Sequence, residues 1–106
     1  MQRGDVFAFR PHRNATGREQ RGARLAVVVA ADEFRWLSTV TVVPTSTGAD
    51  DAVFRPRVSV GGRKTRLLVD QVSTVDRSRV GRRVGRLRPA DLRELDEALG
   101  LYLGLV

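Results

Sequence analysis

The chain has no cysteine, one histidine and one lysine in 106 residues. Without cysteine there is neither a disulfide framework nor a cysteine-ligated zinc site, and a reducing cytoplasm is the simplest home. The lone histidine, His12, excludes any two-histidine acid–base pair by count, and a Ser-His-Asp triad would require it to stand near Ser46. Carboxylates are scattered singly except at Asp32-Glu33, Asp50-Asp51 and Asp96-Glu97; the first two pairs suit turns and the third lies within the helix-forming stretch, so neither a metal nor a cofactor is expected. No apolar run approaches the roughly 20 residues of a membrane span, and the first residues lack the charged-then-apolar shape of a signal peptide. No membrane contact is therefore expected.

What is abundant is arginine. Of 19 basic residues 18 are arginine, and the net charge is +7, which favours a polyanionic partner. An excess of arginine over lysine also marks GC-rich coding, so charge alone leaves that partner open. Its distribution says more. Residues 1–88 hold 18 basic and eight acidic side chains, a balance of +10, whereas residues 89–106 hold one basic and four acidic, a balance of −3. The length suits one domain, 1–106, with a single core.

Hydrophobic periodicity gives mostly strands. Asp5–Arg10 alternates, and Pro11–Gly22 then reads as a polar loop longer than a simple connection. Ala23–Ala31 and Leu37–Thr45 are long apolar strands joined by a turn over Asp32–Trp36. Val53–Val60 alternates around Pro56, which cannot donate to a ladder and marks an edge strand. Gly61-Gly62 is a hairpin turn leading into Thr65–Val69, and Asp76–Arg79 reads as a short helical turn. Pro89 opens an amphipathic helix with apolar residues at 92, 95, 99 and 103. The fold class is mainly β, an antiparallel sheet closed into a barrel-like core with a C-terminal α-helix across it.

One arginine is placed differently from the rest. Glu19-Gln20-Arg21-Gly22-Ala23-Arg24 runs directly into Leu25-Ala26-Val27-Val28-Val29, a buried strand. A guanidinium does not give up its charge, so Arg24 must stand at the strand mouth facing solvent, a cleft or an acid. This stretch resembles the MazF/PemK toxin family, in which an acid-Gln and a Gly precede Arg-Pro-Ala and a valine-rich strand; here Leu25 replaces the proline. Arg3-Gly4-Asp5-Val6 is similar to the family's first strand, and Val42-Val43-Pro44-Thr45-Ser46-Thr47 to the strand end that carries its catalytic hydroxyl. Val69-Asp70-Gln71-Val72 matches its Asp-Gln-Val segment, and residues 80–103 its last strand and terminal helix. Four motifs in the right order make the resemblance specific.

The resemblance implies an SH3-like, CcdB/PemK-type barrel that forms a homodimer. It also implies the toxin of a type II toxin-antitoxin system, a sequence-specific endoribonuclease that cuts single-stranded RNA (mRNA, tRNA or rRNA) and is restrained by a cognate antitoxin in the cytoplasm. Arg24 and Ser46 take the catalytic positions, with Thr47 as the hydroxyl if the alignment shifts by one. RNA supplies its own nucleophile, the 2′-hydroxyl, which needs alignment and stabilisation of the developing phosphorane charge. Internal attack yields a 2′,3′-cyclic phosphate and a 5′-hydroxyl without a metal. Arg13, Arg18, Gln20, Arg55, Thr47 and Gln71 are candidate substrate contacts beside Arg57 and Arg66, and Glu19 is placed to orient Arg24. Phe34 and Trp36 read as core or dimer packing. Two alternatives stay open at this point: a gyrase-poisoning toxin on the same barrel, as in the CcdB proteins, or a barrel that binds nucleic acid without cutting it.

Overall fold

Valine runs set the centre of the sheet. In the computed structural model, which describes residues 1–10 and 24–106, they fall in β1 (Asp5–Phe9), β2 (Arg24–Val28) and β3 (Thr39–Ser46). Val6, Val27 and Val43 enter one apolar cluster, while Ala26, Val28, Val40 and Val42 enter a second on the opposite face. Strands buried on both faces need continuous apolar sequence rather than strict alternation, and these have it. The sheet is completed by β4 (Arg57–Val60), β5 (Arg63–Leu67), β6 (Ser73–Asp76) and β7 (Val80–Arg86), and the chain then enters α1 (Pro89–Tyr102). Short 3-10 turns occupy Asp32–Phe34, Val69–Gln71 and Arg77–Arg79.

Every pairing is antiparallel, in the spatial order β4-β5-β3-β2-β1-β7. β3 serves two partners along one edge, β6 through Thr39–Val42 and β5 through Thr45 and Ser46. The sheet curls into a half-barrel, bringing its outer strands together: a Cβ placed on Gly85 of β7 would lie 3.9 Å from Val60 Cγ1 of β4. Leu95 and Ala98 of α1 join the first cluster, flanked by half-buried Leu92 and Leu99, so the helix closes that face. Complete burial of a leucine such as Leu95 is worth about 1.5–3 kcal/mol. A Schellman end stops α1, with Gly104 at φ +72°, its N–H donating to Leu101 O at 3.3 Å and Leu105 N–H to Gly100 O at 2.8 Å.

Asp5 explains why the first strand opens on an acid. Its side chain is buried, and Oδ1 accepts from Arg86 Nη1 at 2.9 Å and lies 3.3 Å from Arg83 Nε. Burial pushes this carboxyl up, but the Gln2 backbone N–H on Oδ2, at 2.9 Å, and the two β7 guanidinium groups outweigh it and hold the pKa below its usual value. The ion pairs fasten β7 to β1.

Several expectations shift at their edges. The strand expected over Ala23–Ala31 ends at Val28, where the chain turns toward Asp32, whose carboxylate accepts from the Arg3 N–H at 2.6 Å. Val53–Val60 is a strand only from Arg57, with Val53 81% exposed, because the ladder begins after Pro56. It is an edge strand, as Pro56 requires. The strand expected over Thr65–Val69 is moved upstream to Arg63–Leu67, and Val69 starts a 3-10 turn. β6 was not expected at all: its one buried residue is Val75, too little for a periodic signal. The helix ends before Leu103, which is 52% exposed, and Ala98 takes the inward place instead. Phe34 and Trp36 are 50% and 75% exposed, which removes the core reading of both. Among the described residues no helix is long and apolar enough to cross a membrane. The stretch Pro11–Gly22, with His12, Arg13, Arg18, Glu19 and Gln20, lies outside the described residues.

Candidate active site

Two strand ends meet where the apolar runs give out. β2 begins at Arg24 and β3 ends at Ser46, and the register pairs Ala26 with Pro44. Carried two residues further, that register sets Arg24 opposite Ser46. Arg24 is exposed, Ser46 half-buried, Thr45 buried and Thr47 exposed. Strand alternation sends Thr45 toward the curled interior and Ser46 to the other side, while Gly48 opens the turn that follows.

A cavity of about 480 Å³ lies at this mouth, within the size range of small-ligand sites. Its polar wall is Arg24, Thr45, Ser46 and Thr47; its apolar wall is Ala8 of β1, Leu25 of β2 and Val60 of β4. The β4–β5 hairpin supplies the remaining side. Gly61 and Gly62, at φ +57° and +80°, form the tight turn that two-residue hairpins favour, and Val60 pairs with Arg63 across it. Arg63 and Thr65 thereby line the same cavity. No carboxylate stands among these lining residues. Among the described residues, two guanidinium groups and four hydroxyls without an acid make a site suited to an anion with several oxygen acceptors.

The other candidates separate from this mouth. Arg55 donates to Asp70 through Nε at 3.0 Å and Nη2 at 2.8 Å, a bidentate pair on the far side of Pro56 from the hairpin strand. The hydrogen bond from Arg55 holds the Asp70 carboxyl below its usual range against the opposing effect of burial, and the same bond raises Arg55. Gln71 sits in the 3-10 turn beside Asp70, and neither Arg55 nor Gln71 lines the cavity. Tyr102 rests its ring 6.0 Å from Phe54, centroid to centroid, and donates to Asp70 O at 3.4 Å, so Asp70 is a junction between helix and sheet. Arg66 donates to Arg55 O at 3.0 Å and pairs with Asp51, whereas Arg57 is exposed. Arg13, Arg18, Glu19 and Gln20 lie outside the described residues. Sequence reasoning missed Arg63 and Thr65. The signal within reach was the Gly61-Gly62 turn, which folds Arg63 back beside Val60.

The sequence profile shared by PemK-like, MazF-like toxins of type II toxin-antitoxin systems matches residues 2–103. The chain belongs to this family. Among MazF-like relatives, a protein of Mycobacterium tuberculosis described as a toxin is 49% identical over 90 residues, covering 84% of each chain. A protein of Mycolicibacterium smegmatis named as an endoribonuclease MazF is 35% identical, covering 99% of this chain and 98% of its own. The MazF-like fold is shared with an endoribonuclease of a mycobacterial species solved in complex with its cognate antitoxin. That match has a TM-score of 0.82 at 20% identity and covers 100% of this chain and 97% of the other.

Proposed function

We propose that this MazF-like endoribonuclease toxin cuts single-stranded RNA at the Arg24–Ser46 mouth by internal attack of the ribose 2′-hydroxyl. The observation that carries the reading is the meeting of Arg24 and Ser46 at facing strand ends in a cavity whose described lining has no carboxylate. Arg24 holds the scissile phosphate through its guanidinium fork, and Ser46 donates a hydrogen bond to the same group. As the 2′ oxygen bonds to phosphorus, negative charge grows on the equatorial oxygens and both groups stabilise it. The P–O5′ bond breaks, the 2′ proton is lost to solvent, and the 5′ oxygen gains one. The products are a 2′,3′-cyclic phosphate and a 5′-hydroxyl. Among the described residues no three histidine, aspartate or glutamate side chains cluster, and the reaction as written calls for no metal.

The working unit in this reading is a homodimer, which covers part of the apolar surface left by Phe34, Trp36 and Leu37 or by the C-terminal Leu101, Leu103 and Leu105. The partner that restrains it is a cognate antitoxin, as the antitoxin-bound mycobacterial structure supports, and the basic strand portion favours an acidic, extended segment on that partner. The test is incubation of purified protein with single-stranded RNA in EDTA. Cleavage leaving cyclic phosphate ends is expected. Products with 5′-phosphates, or activity lost in EDTA and restored only by Mg²⁺, would overturn the mechanism. Binding without any cleavage would favour the barrel that binds nucleic acid without cutting it.

A further inference from the structure

Four hydroxyls line the cavity, and one of them is orphaned. Thr65 is 7% exposed, and among the described residues its Oγ1 is buried with no hydrogen-bond partner. Such a group costs stability, because the water lost on folding is not replaced. Valine has nearly the same shape, and the buried neighbours Val58, Val60 and Leu67 on this face are aliphatic, so folding alone would be better served by valine. A hydroxyl kept unpaired at the wall of a binding cavity has its partner in the ligand.

The placement narrows what that ligand is. Thr65 pairs with Val58 across the hairpin, and the β3–β5 register, carried one step past Ser46 and Arg66, sets Thr65 opposite Thr47. It therefore stands one strand over from Ser46, the hydroxyl assigned to the scissile phosphate. Val60, Leu25 and Ala8 give the same cavity an apolar wall, and Arg63 lines it too.

We infer that Thr65 reads the base of a nucleotide next to the cut: the base lies on the aliphatic wall, Oγ1 hydrogen-bonds to its edge, and Arg63 takes the neighbouring phosphate. This rests on the RNA-cleaving reading above. No internal bond fixes the hydroxyl, so rotation about χ1 exchanges it with the methyl and presents it to a base edge as donor or acceptor. A site that buries a polar group rejects a base lacking the complementary atom, because the hydroxyl then stays unpaired. Thr65 is thus a specificity-determining residue rather than part of the phosphate chemistry.

The experiment uses the full chain and RNA oligomers built on a site that the wild type cuts. Each carries a 2′-deoxy nucleotide at the cut, so that it binds without reacting, and one neighbouring position at a time is varied through all four bases. Thr65→Val is expected to weaken binding of the preferred base about tenfold and to flatten discrimination at a single position. Its melting temperature should equal or exceed that of the wild type, and Thr65→Ser should keep the preference. A Thr65→Val protein with unchanged base preference and affinity overturns the inference, as does a lowered melting temperature with the preference intact, which would give the hydroxyl a structural partner. If the wild type cuts no RNA, it is the RNA-cleaving reading itself that fails; an active wild type with an unmoved Thr65→Val preference removes this inference alone.

Discussion

Arg24 occupies the one kind of place where a fixed charge can be both exposed and organised. As the first residue of β2 it borrows the strand's rigidity without entering the core. Arg24→Ala should therefore abolish cleavage and toxicity while leaving the melting temperature unchanged; wild-type cleavage by that variant would dismiss the site. Arg24→Lys keeps the charge but loses the planar fork, and a drop of roughly 10–100-fold in kcat is expected. Ser46→Ala should cost on the order of 10² to 10³ in rate by analogy with losing one oxyanion donor, and Ser46→Thr should be tolerated. An active Ser46→Ala beside a dead Thr47→Ala would move the hydroxyl by one position. Arg24 stood out in the sequence because it sits at the boundary of an apolar run, which is a local property, whereas Ser46 was singled out by resemblance to the family's strand-end motif. Arg63 and Thr65 were not, since their nearness to Arg24 depends on how β5 is registered on β3, and no local pattern encodes that.

Elements were legible in proportion to the apolar surface they bury. The valine runs of β2 and β3, the Gly61-Gly62 turn and the Pro89 helix start each declare themselves through several residues. β6 buries only Val75 and declares nothing. The β4–β5 hairpin carries Val60, Arg63 and Thr65 to the cavity. Gly62→Ala forces a Cβ into a left-handed conformation, costing about 1–2 kcal/mol. It should lower the melting temperature and raise KM for RNA more than it lowers kcat. At the opposite end of β4, the Arg55–Asp70 pair ties the segment before the strand to the turn under α1. Because the Asp70 carboxyl is held below its unfolded value of about 3.9, its contribution to stability is complete above that pH and is lost as pH falls through the lowered folded value. Asp70→Asn should accordingly reduce unfolding free energy at neutral pH by about 1.5–3 kcal/mol. The gap from wild type should narrow as pH falls below about 4 and close once pH passes the lowered folded value; a gap that shows no narrowing in acid would mean the two hydrogen bonds are not the cause.

On the scale of the whole molecule the charge map is the controlling property. A +10 sheet portion and a −3 helical end direct polyanions toward the strands and away from α1. RNA affinity should fall as salt rises, with a slope of about −0.7 for each phosphate contact, and Arg63→Ala should reduce that slope by about one such step. If the antitoxin reaches the same arginines through carboxylates, antitoxin and an uncleavable RNA should compete; full simultaneous occupancy would argue against a shared groove. Charge totals are plain in the sequence, but which arginines stay available is not. Arg55, Arg66, Arg83 and Arg86 are engaged with Asp70, Asp51 and Asp5, pairings that exist only once distant strands meet.

Trp36 gives the molecule an unusual optical behaviour. It is the single tryptophan of the chain and stands 75% exposed in the folded subunit, so its indole is already wet before any unfolding. Fluorescence emission of the monomer should thus begin near the long-wavelength limit and barely move on denaturation, leaving circular dichroism to follow the fold. A shift to shorter wavelength would instead report that another surface has covered the ring, which makes the native emission spectrum a gauge of association rather than of folding.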